Sequence, residues 1–164
     1  MYIDGNNLNC SIFRMKSKID YQALKSYLQS CYNPFNSKSK LNFYSGVYSG
    51  SKKIEEHSHL RRLGYRVTCL PKDIHQDGTS KTSGDDVNIA IDIIDEVKSG
   101  DRVILISGDG DFCPVIKKIK QRDVKVTIIA AQDSVNNRLR FLADEYIDLN
   151  TIKNSIASKV GIAA

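Results

Sequence analysis

A chain of 164 residues is the size of a single domain with one buried core. Apolar residues at 41% and charged residues at 26% exclude a disordered tail and a fibrous repeat, and four cysteines without a CxxC pair exclude a thiolate zinc site by spacing. Lys and Arg number 24 against 19 Asp and Glu, and the resulting +5 is compatible with a polyanionic partner without establishing one.

In chain order, Met1–Asp4 reads as a strand, Tyr21–Cys31 as a helix and Leu41–Tyr48 as a strand. Lys52–Leu63 is helical, Arg66–Leu70 extended, and Lys72–Gly84 a long polar loop of the kind that often carries function. The helix Asp85–Lys98 follows. Val87, Ala90, Ile91, Ile94 and Val97 fall at helical spacing, with Ile89 and Ile93 widening the stripe. Asp86 then lies on the stripe's edge, and Asp92 points the other way as a solvated charge. Strand Arg102–Ser107 contains VILIS, apolar enough to be buried on both faces. Helix Pro114–Arg122, strand Val124–Ala130, helix Val135–Ala143 and a brief strand Tyr146–Leu149 complete the pattern. Strands alternating with helices predict a three-layer α/β/α fold with a mainly parallel sheet. The domain is expected to occupy 1–150, with 151–164 a tail holding one short helix. No apolar run reaches the ~18–20 residues of a membrane span, and MYIDGNNLNC lacks a secretory layout. The expectation is a soluble, cytoplasmic protein with reduced, free cysteines and no membrane partner.

Ligands of open α/β sheets bind beyond the carboxyl ends of the strands, where strand order reverses. Asp4 ends the first strand, Asp109 and Asp111 follow VILIS in GDGDF, and Asp85 and Asp86 open the long helix. Each has a plainer reading alone. Asp4 could start a loop, Asp111 could cap the helix containing Pro114, and Asp86 could form a capping box with Ser83. Together they crowd one rim of the sheet, and crowded carboxylates repel unless a cation neutralises them. An oxygen-only set suits a hard ion, Mg²⁺ or Mn²⁺. Other motifs fail on spacing. The twelfth position from Asp109 is Lys120 where a calcium loop needs Glu, position 6 is Asn6 where a haloacid-dehalogenase-type phosphatase needs Asp, and GDGDFCP lacks the third glycine of a dinucleotide fingerprint. No dinucleotide cofactor is expected.

IDGNNLN at 3–9, KTSGDDVNIAID at 81–92 and LISGDGDFCPVIKKI at 105–119, with LADEYIDL at 142–149, resemble the NYN domain family. More narrowly they are similar to its LabA-like (DUF88) branch, within the PIN-like nuclease superfamily. The resemblance implies a PIN-like, Rossmann-like sheet and a metal-dependent ribonuclease core. Asp4, Asp86, Asp109 and Asp111 match its metal-pocket aspartates, with Asp85 competing for the place of Asp86 because KTSGDD is longer than the compact form. Asn7 matches the asparagine after the first aspartate and Ser107 the pocket-flanking serine, both expected to bind substrate by orienting ligands or the scissile phosphate, and Lys81 is a candidate cation for the substrate. The leading expectation is hydrolysis of RNA phosphodiesters with Mg²⁺ or Mn²⁺ held by those four aspartates. Lys117, Lys118, Lys120, Arg138 and Arg140 are further candidate phosphate contacts, though the three lysines also read as a solvated helix face. Tyr44, Tyr48 and Phe112 could stack on bases, but read more simply as core or sheet residues. Two rival readings remain. One is a non-catalytic RNA- or protein-binding regulatory module; the other is a metal-dependent phosphatase or DNA nuclease using the same pocket.

Overall fold

A computed structural model describes residues 1–32, 39–47, 53–74, 80–82 and 84–158, and gives the side chains of all these except 47, 72–74 and 80–82. Seven strands form one sheet: β1 (Tyr2–Asp4), β2 (Asn42–Val47), β3 (Arg66–Ile74), β4 (Ser80–Thr82), β5 (Arg102–Ile106), β6 (Lys125–Ala130) and β7 (Glu145–Asp148). Their order is β4-β3-β2-β1-β5-β6-β7. Six strands are parallel, and β4 pairs antiparallel to β3 at the edge. The predicted α/β/α layering is present. One face is covered by α1 (Gly5–Arg14), α2 (Tyr21–Tyr32), α3 (Lys53–Arg62) and α7 (Leu149–Ile156), the other by α4 (Asp85–Glu96), α5 (Cys113–Lys120) and α6 (Asn137–Leu142).

The chain steps from β1 outward to β2 and β3, then returns to place β5 on the other side of β1. The carboxyl ends of β1 and β5 therefore form the switch point where such sheets open a crevice. Val103, Ile104, Leu105 and Ile106 are fully buried, since β5 is sandwiched between two helical layers.

Four local features depart from the sequence reading. Helix α1 is absent from it, because Gly5-Asn6-Asn7 are poor helix formers. It forms because the Asp4 carboxylate accepts from the Asn7 N–H as an N-cap, while Leu8 and Ile12 bury against the sheet. The expected polar loop 72–84 is partly a hairpin: β3 runs on to Ile74 and pairs back with Ser80–Thr82, its turn lying outside the described residues. The buried stripe of α4 is centred on Ile89, Ile93 and Val97, leaving Val87 and Ile91 exposed. This helix is apolar on most sides, so periodicity could not fix its rotation. Asp92 is correspondingly not a solvated charge: its Oδ2 accepts from the Tyr44 hydroxyl at 2.6 Å.

Candidate acidic site at the switch point

Asp4 closes β1, and its side chain is buried to the point that the residue is 4% exposed. Its Oδ1 accepts from the Asn7 N–H at 2.9 Å and its Oδ2 from the Ser107 hydroxyl at 3.0 Å. Burial pushes its pKa above the ordinary carboxylate value, with Asp85 adding to the rise and both hydrogen bonds opposing it. Ser107, just past β5, is itself buried and accepts from the Asp109 N–H at 3.2 Å. One hydroxyl thus ties the end of β1 to the turn after β5.

Asn7 makes a second tie, its Oδ1 accepting from the Gly108 N–H at 3.1 Å. Because that donor fixes the amide oxygen, the Asn7 NH₂ must point away from it. That NH₂ has no partner among the described residues.

Asp109 accepts from the Asp111 N–H at 3.0 Å and caps the short 3₁₀ turn Gly110–Phe112. Asp111 is therefore not the helix cap it could have been: the cap of α5 is Phe112, without a side-chain hydrogen bond, and Pro114 occupies the first turn. Asp111 points outward and is exposed. The N-cap of α4 is Gly84, in the left-handed region at φ 82° and with no side-chain cap bond, while Ser83 lies outside the described residues. Asp85 and Asp86 diverge from that turn. Asp85 accepts from the Asn6 amide at 2.6 Å. Asp86 joins Asp109 and Asp111, and one carboxylate oxygen from each lies within 4.8 Å of the other two.

The pKa of Asp86 is pushed up to about 6, by burial first and then by Asp85, Asp4, Asp109 and Asp111. Four neighbouring carboxylates thus crowd Asp86, and among the described residues no ion pair engages any of the five. An all-oxygen donor set at this spacing fits a hard divalent cation. Asp4 stands deeper, on the wall of the same open crevice of about 940 Å³, together with Asn7, Asp85, Asp86 and Asp109.

The remaining expected contacts divide. The Lys81 backbone is in β4, and its side chain lies outside the described residues. Lys120 is not available to a substrate, since its ammonium donates to the Leu142 carbonyl and the Asp144 carboxylate, both at 2.9 Å. Arg140 lies over the Tyr146 ring at 4.6 Å. Tyr44 and Phe112 are buried core residues and Tyr48 lies outside the described residues. Two cations the sequence reading missed, Arg14 and Lys53, do line the crevice. Arg14 could have been found only with α1 recognised, and Lys53 only by seeing that α3 begins beside the end of β2.

Fold and site together define a doubly wound α/β protein with a carboxylate-lined crevice at its switch point. The NYN domain family model matches residues 1–150, and the chain belongs to that family. Among curated proteins, the "Low amplitude and bright protein LabA" of Synechococcus elongatus is 27% identical over 161 residues, covering 95% of this chain and 86% of its own. A crystal structure of a protein of unknown function from Vibrio parahaemolyticus superposes with a TM-score of 0.74 at 25% identity, covering 96% of this chain and 94% of its own. No helix among the described residues is long and apolar enough to cross a membrane.

Proposed function

We propose that the crevice hydrolyses RNA phosphodiester bonds with the help of Mg²⁺ or Mn²⁺. The observation that carries this reading is the convergence of Asp86, Asp109 and Asp111, each offering an oxygen within 4.8 Å of the others, beside a fourth, buried carboxylate from β1. Membership of the NYN domain family supports it. In this reading Asp86, Asp109 and Asp111 hold the cation. Asp4, fixed by Asn7 and Ser107, supplies a carboxylate that cannot swing away. When bound, such a cation polarises a phosphoryl oxygen and makes water a stronger nucleophile at neutral pH. Ser107 acts as a positioning residue: it is too buried to meet substrate, and it sets the spacing between Asp4 and the Asp109 turn. The unpartnered NH₂ of Asn7 donates to a phosphate oxygen. Asp85 is held back by Asn6 and raises the pKa of Asp86.

The test is cleavage of labelled single-stranded RNA, single-stranded DNA and a phosphomonoester with Mg²⁺, with Mn²⁺ and with EDTA, beside Asp109→Asn. Metal-dependent scission of RNA that the variant loses by at least a hundredfold is expected. Metal and RNA binding without scission would overturn the hydrolytic reading. Preference for DNA or the monoester would overturn the substrate.

A further inference from the structure

Helix α1 begins at the carboxylates and runs about 15 Å away from them. Asn6, Asn9, Cys10, Phe13 and Arg14 fall within an arc of about 140° on its outer side, opposite the buried Leu8 and Ile12. Three features of that stripe stand out. Phe13 is 82% exposed, and no other large apolar side chain of α1 is exposed. Arg14, the last residue of α1, is exposed, as are Lys16 and Lys18 in the segment that follows it, and no side-chain hydrogen bond or ion pair engages the three among the described residues. Arg14 also lines the crevice, so stripe and crevice are continuous.

We infer that the outer face of α1 seats the single-stranded RNA flank that leads out of the crevice, with a base stacked on Phe13 and phosphates on Arg14, Lys16 and Lys18. This rests on the RNA reading above. The chemistry favours nucleic acid over a protein partner. Among the described residues of α1, Phe13 is the one exposed large apolar side chain and it stands beside amides and a cation, an arrangement suited to an unpaired base and its phosphates rather than to the contiguous apolar patch of a protein interface. It also answers a difficulty of the site, because the aspartates repel the polyphosphate they cut. Attraction must come from charge set apart from the aspartates, and Arg14 at the end of α1, with Lys16 and Lys18 just after it, places cations there.

A 5′-fluorescein-labelled 15-nucleotide single-stranded RNA in EDTA reads binding without cleavage. Phe13→Ala should weaken binding roughly tenfold, and Phe13→Trp should restore it. Phe13→Leu, which keeps apolar area without an aromatic face, should not. Arg14→Gln should weaken binding and reduce the slope of log affinity on log salt by about 0.7. Phe141→Ala removes an equally exposed ring, 87% exposed, from α6 and should leave binding unchanged. Wild-type affinity in Phe13→Ala or Phe13→Leu overturns the seat, as does an equal loss in Phe141→Ala. Cleavage measured in parallel separates the two claims. RNA held through Phe13 but left uncut would sustain the seat and sink the hydrolytic reading; RNA cut normally by Phe13→Ala with unchanged affinity would do the reverse. Failure of the wild type to bind RNA would end both.

Discussion

Asp86 shows how one residue is placed at odds with its own fold. A carboxyl with a folded pKa near 6, against about 3.9 unfolded, binds its proton more tightly in the native state. Its contribution is fully favourable below about pH 4 and is lost as pH rises through 6. Without cation, Asp86→Asn is therefore expected to raise stability at pH 7 by on the order of 1 kcal/mol, a figure reduced for the side chain's partial exposure. The gain should close at pH 4; denaturant melts at the two values check this, and an equal gain at both would show that crowding of charge is not the cause. Cleavage should fall at least a hundredfold in the same variant. Asp4 and Asp109 were legible as rim carboxylates because one ends a strand and the other lies in the turn just past one. The choice between Asp85 and Asp86 was not. Adjacent residues at a helix start diverge by ~100°, and only the Asn6 amide shows which one turns aside. The Tyr44–Asp92 hydrogen bond was equally invisible, its partners being far apart in sequence.

At the scale of elements, α1 couples packing to chemistry at its first residue. A Cβ on Gly5 would stand 2.6 Å from both Phe43 Cζ and the Tyr44 carbonyl oxygen, inside the sheet's own strand β2. Gly5→Ala should destabilise by about 2–3 kcal/mol and displace Asp4, lowering cation affinity with stability; urea unfolding and calorimetric titration with Mn²⁺ check both. The other end of α1 carries the opposite economy. Lys16 sits in the left-handed region at φ 48°, where glycine is at ease. Lys16→Gly should stabilise the protein by about 0.5 kcal/mol, relief of strain outweighing the added freedom of the unfolded chain, while weakening RNA binding. A lysine kept at that cost is consistent with work done by its charge. Strands with long apolar runs, such as β5, were readable in the sequence. The edge strand β4, built from Ser80, Lys81 and Thr82, was not, because its pairing with β3 leaves no apolar alternation to detect.

For the whole molecule, a cation binding only the folded state should stabilise it by RT ln(1 + [L]/Kd), so Mn²⁺ at a hundred times its Kd is expected to add about 2.7 kcal/mol. A melting temperature that rises with Mn²⁺, reverts with EDTA and is indifferent to Mn²⁺ in Asp109→Asn would bear this out. An equal rise in the variant would place the ion elsewhere. The layered α/β architecture was legible as a whole because alternating strand and helix patterns admit few topologies. Which strands meet at the switch point was not, since that depends on where the chain reverses its winding.

The sheet's middle strand, only three residues long, has a consequence for the order in which the protein comes into being. Tyr2, Ile3 and Asp4 pair with Asn42–Tyr44 on one side, and Tyr2 and Ile3 with Leu105 and Ile106 on the other. β1 is thus left with one open edge until a segment about a hundred residues later has been made, and loops of that span close slowly. The carboxylates themselves arrive at positions 4, 86, 109 and 111. A growing chain that has not passed Asp111 has an incomplete site, and one whose β5 has not docked has none. The crevice is consequently complete only once β5 and the turn bearing Asp109 and Asp111 have joined β1, and a chain released early carries Asp4 and α1 without the full carboxylate set.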